Sequence, residues 1–144
     1  MKVAVGSDER VPVNDAVVAA LTDLGHEVVL IGPVSDDPAE STKRWADVGR
    51  EVATLVASGA CDTAVLFCWT GTGASIAANK VSGVRAALCT DRATAEGARK
   101  WNDANVLVMS NRLATEAVAL EMLDAWFNTD ADPSEADQIA KLDP

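Results

Sequence analysis

Five short apolar runs alternate with stretches of helical spacing, and this alternation leaves few folds open to the chain. Residues 2–6 (KVAVG), 26–31 (HEVVLI), 63–67 (TAVLF), 84–88 (VRAAL) and 105–109 (NVLVM) have the length and apolar content of buried strands. After the first run, Val13, Val17, Ala20, Leu21 and Leu24 recur on one helical face, with Pro12 tolerated in the first turn and Gly25 as the stop. Trp45, Val48, Val52, Leu55 and Val56 mark a second helix, ended by Gly59, beyond a loop over residues 32–41. Three more helices are expected over residues 71–80, over 91–100 with Asp91 as cap, and over 114–127. Strands that alternate with helices pair in parallel through right-handed crossovers, and strands apolar on both faces suit a sheet covered on both sides. The expected fold is therefore α/β, a three-layer sandwich around a five-stranded parallel sheet, Rossmann-like. In such sheets ligands bind beyond the carboxyl ends of the strands.

The chain of 144 residues is long enough for one domain with a real core, and 49% apolar content excludes disorder. Residues 1–127 are read as that domain and residues 128–144 as a peripheral acidic arm, either folded over a neighbouring subunit or free. A net charge of −10 disfavours nucleic acid and anionic membrane as partners. No apolar run approaches the roughly 18 residues of a membrane span. Cys61, Cys68 and Cys89 show no metal-binding spacing, and an odd count behind the polar start MKVAVGSDE suggests the cytoplasm.

The densest chemistry lies at Cys68-Trp69-Thr70-Gly71-Thr72-Gly73-Ala74-Ser75, where the third strand turns into a helix. Two glycines allow close approach of backbone to ligand, and the free N–H groups of a helix start favour negative charge. A thiol placed there is a usable base or nucleophile. The pattern is neither G-x-G-x-x-G, since Ile76 fills the third position, nor a P-loop.

The segments CWTGTGASIAANK, VSGVRAALC and WNDANVLVMSNR, with the GSD turn after the first strand and EMLDAWF near the end, resemble the ribose-5-phosphate isomerase B and galactose-6-phosphate isomerase family. The resemblance covers nearly the whole chain up to about Phe127. It implies interconversion of aldose and ketose phosphates through a cis-enediolate, with no metal or other cofactor. Cys68 matches the family's base, and Thr70 the hydroxyl that assists proton transfer. Asp8 matches a ligand of sugar hydroxyls, and the amides of Gly71, Thr72, Gly73 and Ala74 match the donors to the enediolate oxygen. Asn102 matches an asparagine supplied by a second subunit, so a homodimer or dimer of dimers with shared sites is implied. Arg112 matches a phosphate-side arginine.

The chain also departs from that family. Glu9 follows Asp8 where a histidine is usual, and Trp101 precedes Asn102 where the ring-opening histidine is usual. The one histidine, His26, falls at the opposite edge of the sheet. The arm carries a single cation, Lys141, where phosphate-clamping arginines are usual, which leaves Arg10, Arg92 and Arg112 as candidates. Trp69 and Trp101 are placed beside the pocket, whereas Trp45 and Trp126 read as core or interface. Two readings stay open. One is an isomerase of ribose 5-phosphate and ribulose 5-phosphate, or of a related tetrose phosphate that cannot close a furanose ring and needs no ring-opening acid. The other is a sugar-binding paralogue without turnover.

Overall fold

A computed structural model describes residues 1–142. Strand β1 (Lys2–Ser7) leads through helix α1 (Pro12–Asp23) to β2 (Glu27–Ile31), and α2 (Trp45–Ala57) carries the chain to β3 (Thr63–Cys68). Helix α3 (Thr72–Ala78) precedes β4 (Ala86–Leu88), α4 (Arg92–Asn102) precedes β5 (Val106–Ser110), and α5 (Glu116–Phe127) follows. The last described elements are a 3-10 turn at Pro133–Glu135 and the single turn α6 (Ala136–Ile139). The five strands are parallel, in the order β2-β1-β3-β5-β4. The five-stranded parallel α/β fold expected from the alternation is the fold observed.

The pleat sorts the core. Val3, Val5, Val65, Phe67, Leu107 and Met109 point to one face, where they meet Val17 and Leu21 of α1 and Met122, Leu123 and Trp126 of α5. Ala4, Ala64, Leu66, Cys68, Val106 and Val108 point to the other, against Val48 and Val52 of α2 and Ala74 and Ala78 of α3. The smaller residues on that second face leave room for α2 and α3 to lie close to the sheet. Each of the six residues of β3 is buried, which makes it the rigid centre from which the Cys68 loop departs.

Element ends differ from expectation for identifiable reasons. The amides of Gly25 and His26 donate to the carbonyls of Thr22 and Leu21, so His26 closes α1 rather than opening β2. β4 starts two residues later than expected because the Arg85 amide donates to the Asn105 side chain (2.8 Å) and Asn79 brackets Ala86 with both its amide atoms. The start of the first helix is capped by Asn14, whose Oδ1 accepts from the Val11 amide at 2.9 Å. In the arm, the Asp132 amide donates to the Lys100 carbonyl at 2.7 Å, which ties this segment to α4 of its own chain.

Candidate active site

The chain leaves β1 toward β2 and leaves β3 toward the other edge of the sheet, so the crevice above β1 and β3 is the switch point of the topology. Asp8, just past β1, and Cys68, the last residue of β3, both enter it. A cleft of about 260 Å³ lies there, lined by Asp8, Trp45, Cys68, Trp69, Thr70, Thr72 and Gly73.

The turn under the cleft depends on its glycines. Gly71 has φ +80°, and a Cβ on it would come within 2.5 Å of Leu88 Cδ1 and 3.2 Å of the Met109 carbonyl. The first helical hydrogen bond runs from the Ser75 amide to the Gly71 carbonyl, so the amides of Thr72, Gly73 and Ala74 have no acceptor within the helix. A Cβ on Gly73 would sit 2.9 Å from the Trp45 ring, so this glycine lets the indole close against the turn. Thr70 and Thr72 share a hydroxyl hydrogen bond of 2.8 Å, while the cap position of α3 is occupied by Gly71.

The loop after β5 clasps the cysteine segment from behind. The amides of Asn111 and Arg112 donate to the carbonyls of Cys68 (2.9 Å) and Trp69 (3.0 Å), and Ser110 Oγ donates to the Trp69 carbonyl at 2.8 Å. Asn14 Nδ2 donates to Asn111 Oδ1 (2.9 Å), Asn111 Nδ2 to Ser7 Oγ (3.2 Å), and the Glu9 amide to Ser7 Oγ (3.3 Å). Ser7 and Asn14 are fully buried, so this chain of side-chain bonds couples α1, the turn after β1 and the turn after β5 beneath the site.

Asp8 is the electrostatic centre of the cleft. Its Oδ1 is buried without a hydrogen-bond partner among the described residues. Burial first, then the neighbouring Glu9 carboxylate, pushes its pKa up, while its own backbone and Arg44 act in the opposite direction. A buried, unpaired carboxylate oxygen facing a polar cleft is a ready acceptor for ligand hydroxyls. The other two cysteines are buried and do not line the cleft. Burial pushes the Cys89 thiol up to about 11, and it also raises that of Cys61.

The remaining expected site residues are dispersed. Gly71 and Ala74 are buried just beneath the cleft, whereas Glu9, Arg10 and Arg112 are exposed and do not line it. Arg10 is held by Asp15 and Asp36, and Arg92 is paired with Asp124. Trp101 and Asn102 lie at the end of α4 and line a separate groove of about 490 Å³ that also includes Leu88, Cys89 and Asp91. Asp103, at φ 44°, ends that helix, and its carboxylate is gripped by Arg85 and Arg99. His26 stacks on Phe127 at 4.7 Å, at the amino ends of the strands.

Of the two places expected for Trp45, core or interface, the core is excluded: the residue is 42% exposed and forms one wall of the cleft. Its helical phase with Val48 and Val52 suggested a core position, but as the first residue of α2 it stands beside Asp8 and Cys68, at the carboxyl ends of the strands. Trp126 does lie in the core, where its indole N–H donates to Thr63 Oγ1 at 3.1 Å. Sequence reasoning also passed over Arg44 and the Ser7–Asn14–Asn111 chain. The bond pattern of that chain joins residues 97 and 104 positions apart, which no local signal encodes.

A switch-point cleft that combines a cysteine, a glycine turn with amides free of helical acceptors and an aspartate oxygen without a partner among the described residues has the form of a small-molecule site on a doubly wound α/β protein. The family described as Ribose/Galactose Isomerase matches residues 3–142, and the chain belongs to it. It is 35% identical over 127 residues to ribose-5-phosphate isomerase B of Escherichia coli (strain K12), covering 88% of this chain and 83% of that protein. It is 30% identical over 131 residues to D-erythrulose-4-phosphate isomerase of Pectobacterium atrosepticum, covering 90% and 84%. Among solved structures, the ribose-5-phosphate isomerase B of Clostridium thermocellum superposes with a TM-score of 0.89 at 35% identity, over 99% of this chain and 95% of the other.

Proposed function

We propose that the protein is a sugar-phosphate isomerase that interconverts an aldose and a ketose through a cis-enediolate, with Cys68 as the base. The observation that carries this reading is the convergence, in one cleft, of the Cys68 thiol, the unpaired Asp8 oxygen and the turn of free amides. In the open-chain aldose, Cys68 Sγ takes the proton from C2. The electron pair left behind forms the C1–C2 double bond, and the charge on the C1 oxygen falls to the amides of residues 71–74. The Cys68 S–H, which exchanges with solvent during the life of the enediolate, delivers a proton to C1 and becomes the thiolate again, while the C2 oxygen becomes the carbonyl and the Thr70 hydroxyl moves a proton from the C2 oxygen to the C1 oxygen. Asp8 holds hydroxyls further along the chain.

A tetrose 4-phosphate is the favoured substrate over ribose 5-phosphate. Trp101 stands where a ring-opening histidine is usual, and His26 is at the other end of the sheet. A tetrose whose terminal oxygen carries phosphate cannot close a furanose and needs no such acid. Asn102 faces a groove apart from the Cys68 cleft, so in this reading a second copy of the chain brings it to the site.

Deuterium wash-in tests the chemistry. In D₂O the enzyme should place label at C1 or C2 of D-erythrose 4-phosphate or D-ribose 5-phosphate, and Cys68→Ala should lower the rate by about 10²-fold or more. Binding of these sugars without any exchange would overturn the isomerase in favour of the sugar-binding paralogue.

A further inference from the structure

We propose that Arg44 recognises the charged tail of the molecule bound in the Cys68 cleft, a phosphate or another tetrahedral oxyanion such as a sulfonate; this rests on reading the cleft as a sugar-phosphate site. Arginine suits that task because its planar fork meets two oxygens of such a group at once.

Among the expected suppliers of positive charge, Arg10 and Arg92 are engaged elsewhere and the arm is nearly without cations, whereas Arg112, exposed in the turn after β5, is the competing candidate. Residues 128–144 contain a single cation, Lys141, whose ammonium donates to Gln138 at 3.2 Å. Arg10 is neutralised by Asp15 and Asp36, and Arg92 by Asp124. Arg44 has no hydrogen bond or ion pair to its side chain among the described residues, and it is exposed. It is the cap residue of α2, immediately before the Trp45 that walls the cleft.

The loop that presents Arg44 is braced. Glu40 accepts the Gly32 amide and the Lys43 ammonium, each at 2.7 Å, and Lys43 also meets Glu51 at 2.6 Å. Lys43 thus spends its charge on the loop, while Arg44 beside it remains available. Its field already reaches the cleft floor, where it opposes the upward shift that burial and Glu9 impose on Asp8. A guanidinium without a partner among the described residues, on a braced loop next to an aromatic wall and within electrostatic reach of Asp8, has the form of a receptor for an anionic group attached to a polyol.

Calorimetric titration of D-erythrose 4-phosphate, inorganic phosphate and unphosphorylated D-erythrose tests the assignment without depending on turnover. Arg44→Ala should weaken both phosphorylated ligands by ~10-fold or more. It should leave D-erythrose binding unchanged, and Arg44→Lys should regain part of the loss. The melting temperature should not move, because the Arg44 side chain holds no structural bond among the described residues. The proposal is overturned if Arg44→Ala leaves phosphate affinity intact, or weakens D-erythrose equally. It is overturned also if the wild type binds neither phosphorylated ligand, or if Arg112→Ala carries the whole effect instead. Because binding is read directly, an absence of deuterium exchange with a normal Arg44 effect would refute the isomerase and leave this assignment standing.

Discussion

Gly71 and Asp8 show how single residues hold the site in a conformation that costs stability. At Gly71 any side chain meets both a left-handed backbone and the Met109 carbonyl, which cannot move without disturbing β5. Gly71→Ala should destabilise the fold by about 2–4 kcal/mol, read from urea unfolding, and should weaken ligand binding by tilting the free amides. Asp8 acts through its charge. Its pKa in the fold lies above the ordinary 3.8, so the folded chain holds this proton more tightly than the unfolded one. The resulting stabilisation is complete below about pH 3.8 and is lost as pH rises through the folded value, so at neutral pH the ionised, buried carboxylate is a cost. Asp8→Asn should therefore raise the melting temperature at pH 7, and the gain should shrink as pH falls through the carboxylate range. A gain that stayed constant with pH would assign the effect to packing instead of charge. Asp8 was legible in the sequence from its place after the first strand. Its unpaired oxygen was not, because that depends on which donors the fold brings near.

The elements are joined beneath the cleft by polar contacts as well as apolar ones. Asn14 of α1 satisfies the Val11 amide and the Asn111 side-chain oxygen Oδ1 at once, with no exposure to water. Asn14→Ala would leave both without a partner, a loss of about 2 kcal/mol or more at the usual cost of a buried unsatisfied group. Chemical denaturation would measure that loss. A purely local role would shift stability alone, but here the Asn111 loop clasps Cys68, so ligand affinity should fall as well. Strand and helix identities came from hydrophobic period, and for β1, β3 and β5 the period was enough because these strands are buried on both faces. It failed at the start of β4, where the Asn105 side chain takes the bond that the ladder would have used. It also suggested a core place for Trp45, since helical phase says which residues share a face but not that the first turn of α2 borders the cleft.

In the whole molecule, the expected site is divided. Cys68, Thr70 and Asp8 open on one cleft, and Asn102 with Trp101 on another groove. If two copies exchange these parts, chains carrying Cys68→Ala and chains carrying Asn102→Ala, each inactive alone, should recover activity when refolded together. Random pairing would place one intact site in half of the dimers, which restores about a quarter of wild-type exchange. No recovery would show that each chain completes its own site. The described part of the arm, from Asn128 to Leu142, bonds to α4 of the same chain through Asp132, a contact that a disposition over a neighbour must accommodate. No helix among the described residues is long and apolar enough to cross a membrane.

The sequence by itself determined the α/β alternation, the parallel sheet and the identity of the cysteine–glycine turn. All three rest on local period and local backbone freedom, which neighbouring residues carry with them. Only the tertiary structure decided that Trp45 walls the cleft, that Arg10 and Arg92 are already neutralised, and that Arg44, without a side-chain partner among the described residues, acts on Asp8. Which charges are available is settled by pairing between residues distant in the chain, such as Arg10 with Asp36 and Arg92 with Asp124. Such partners meet only when the sheet order brings their loops together.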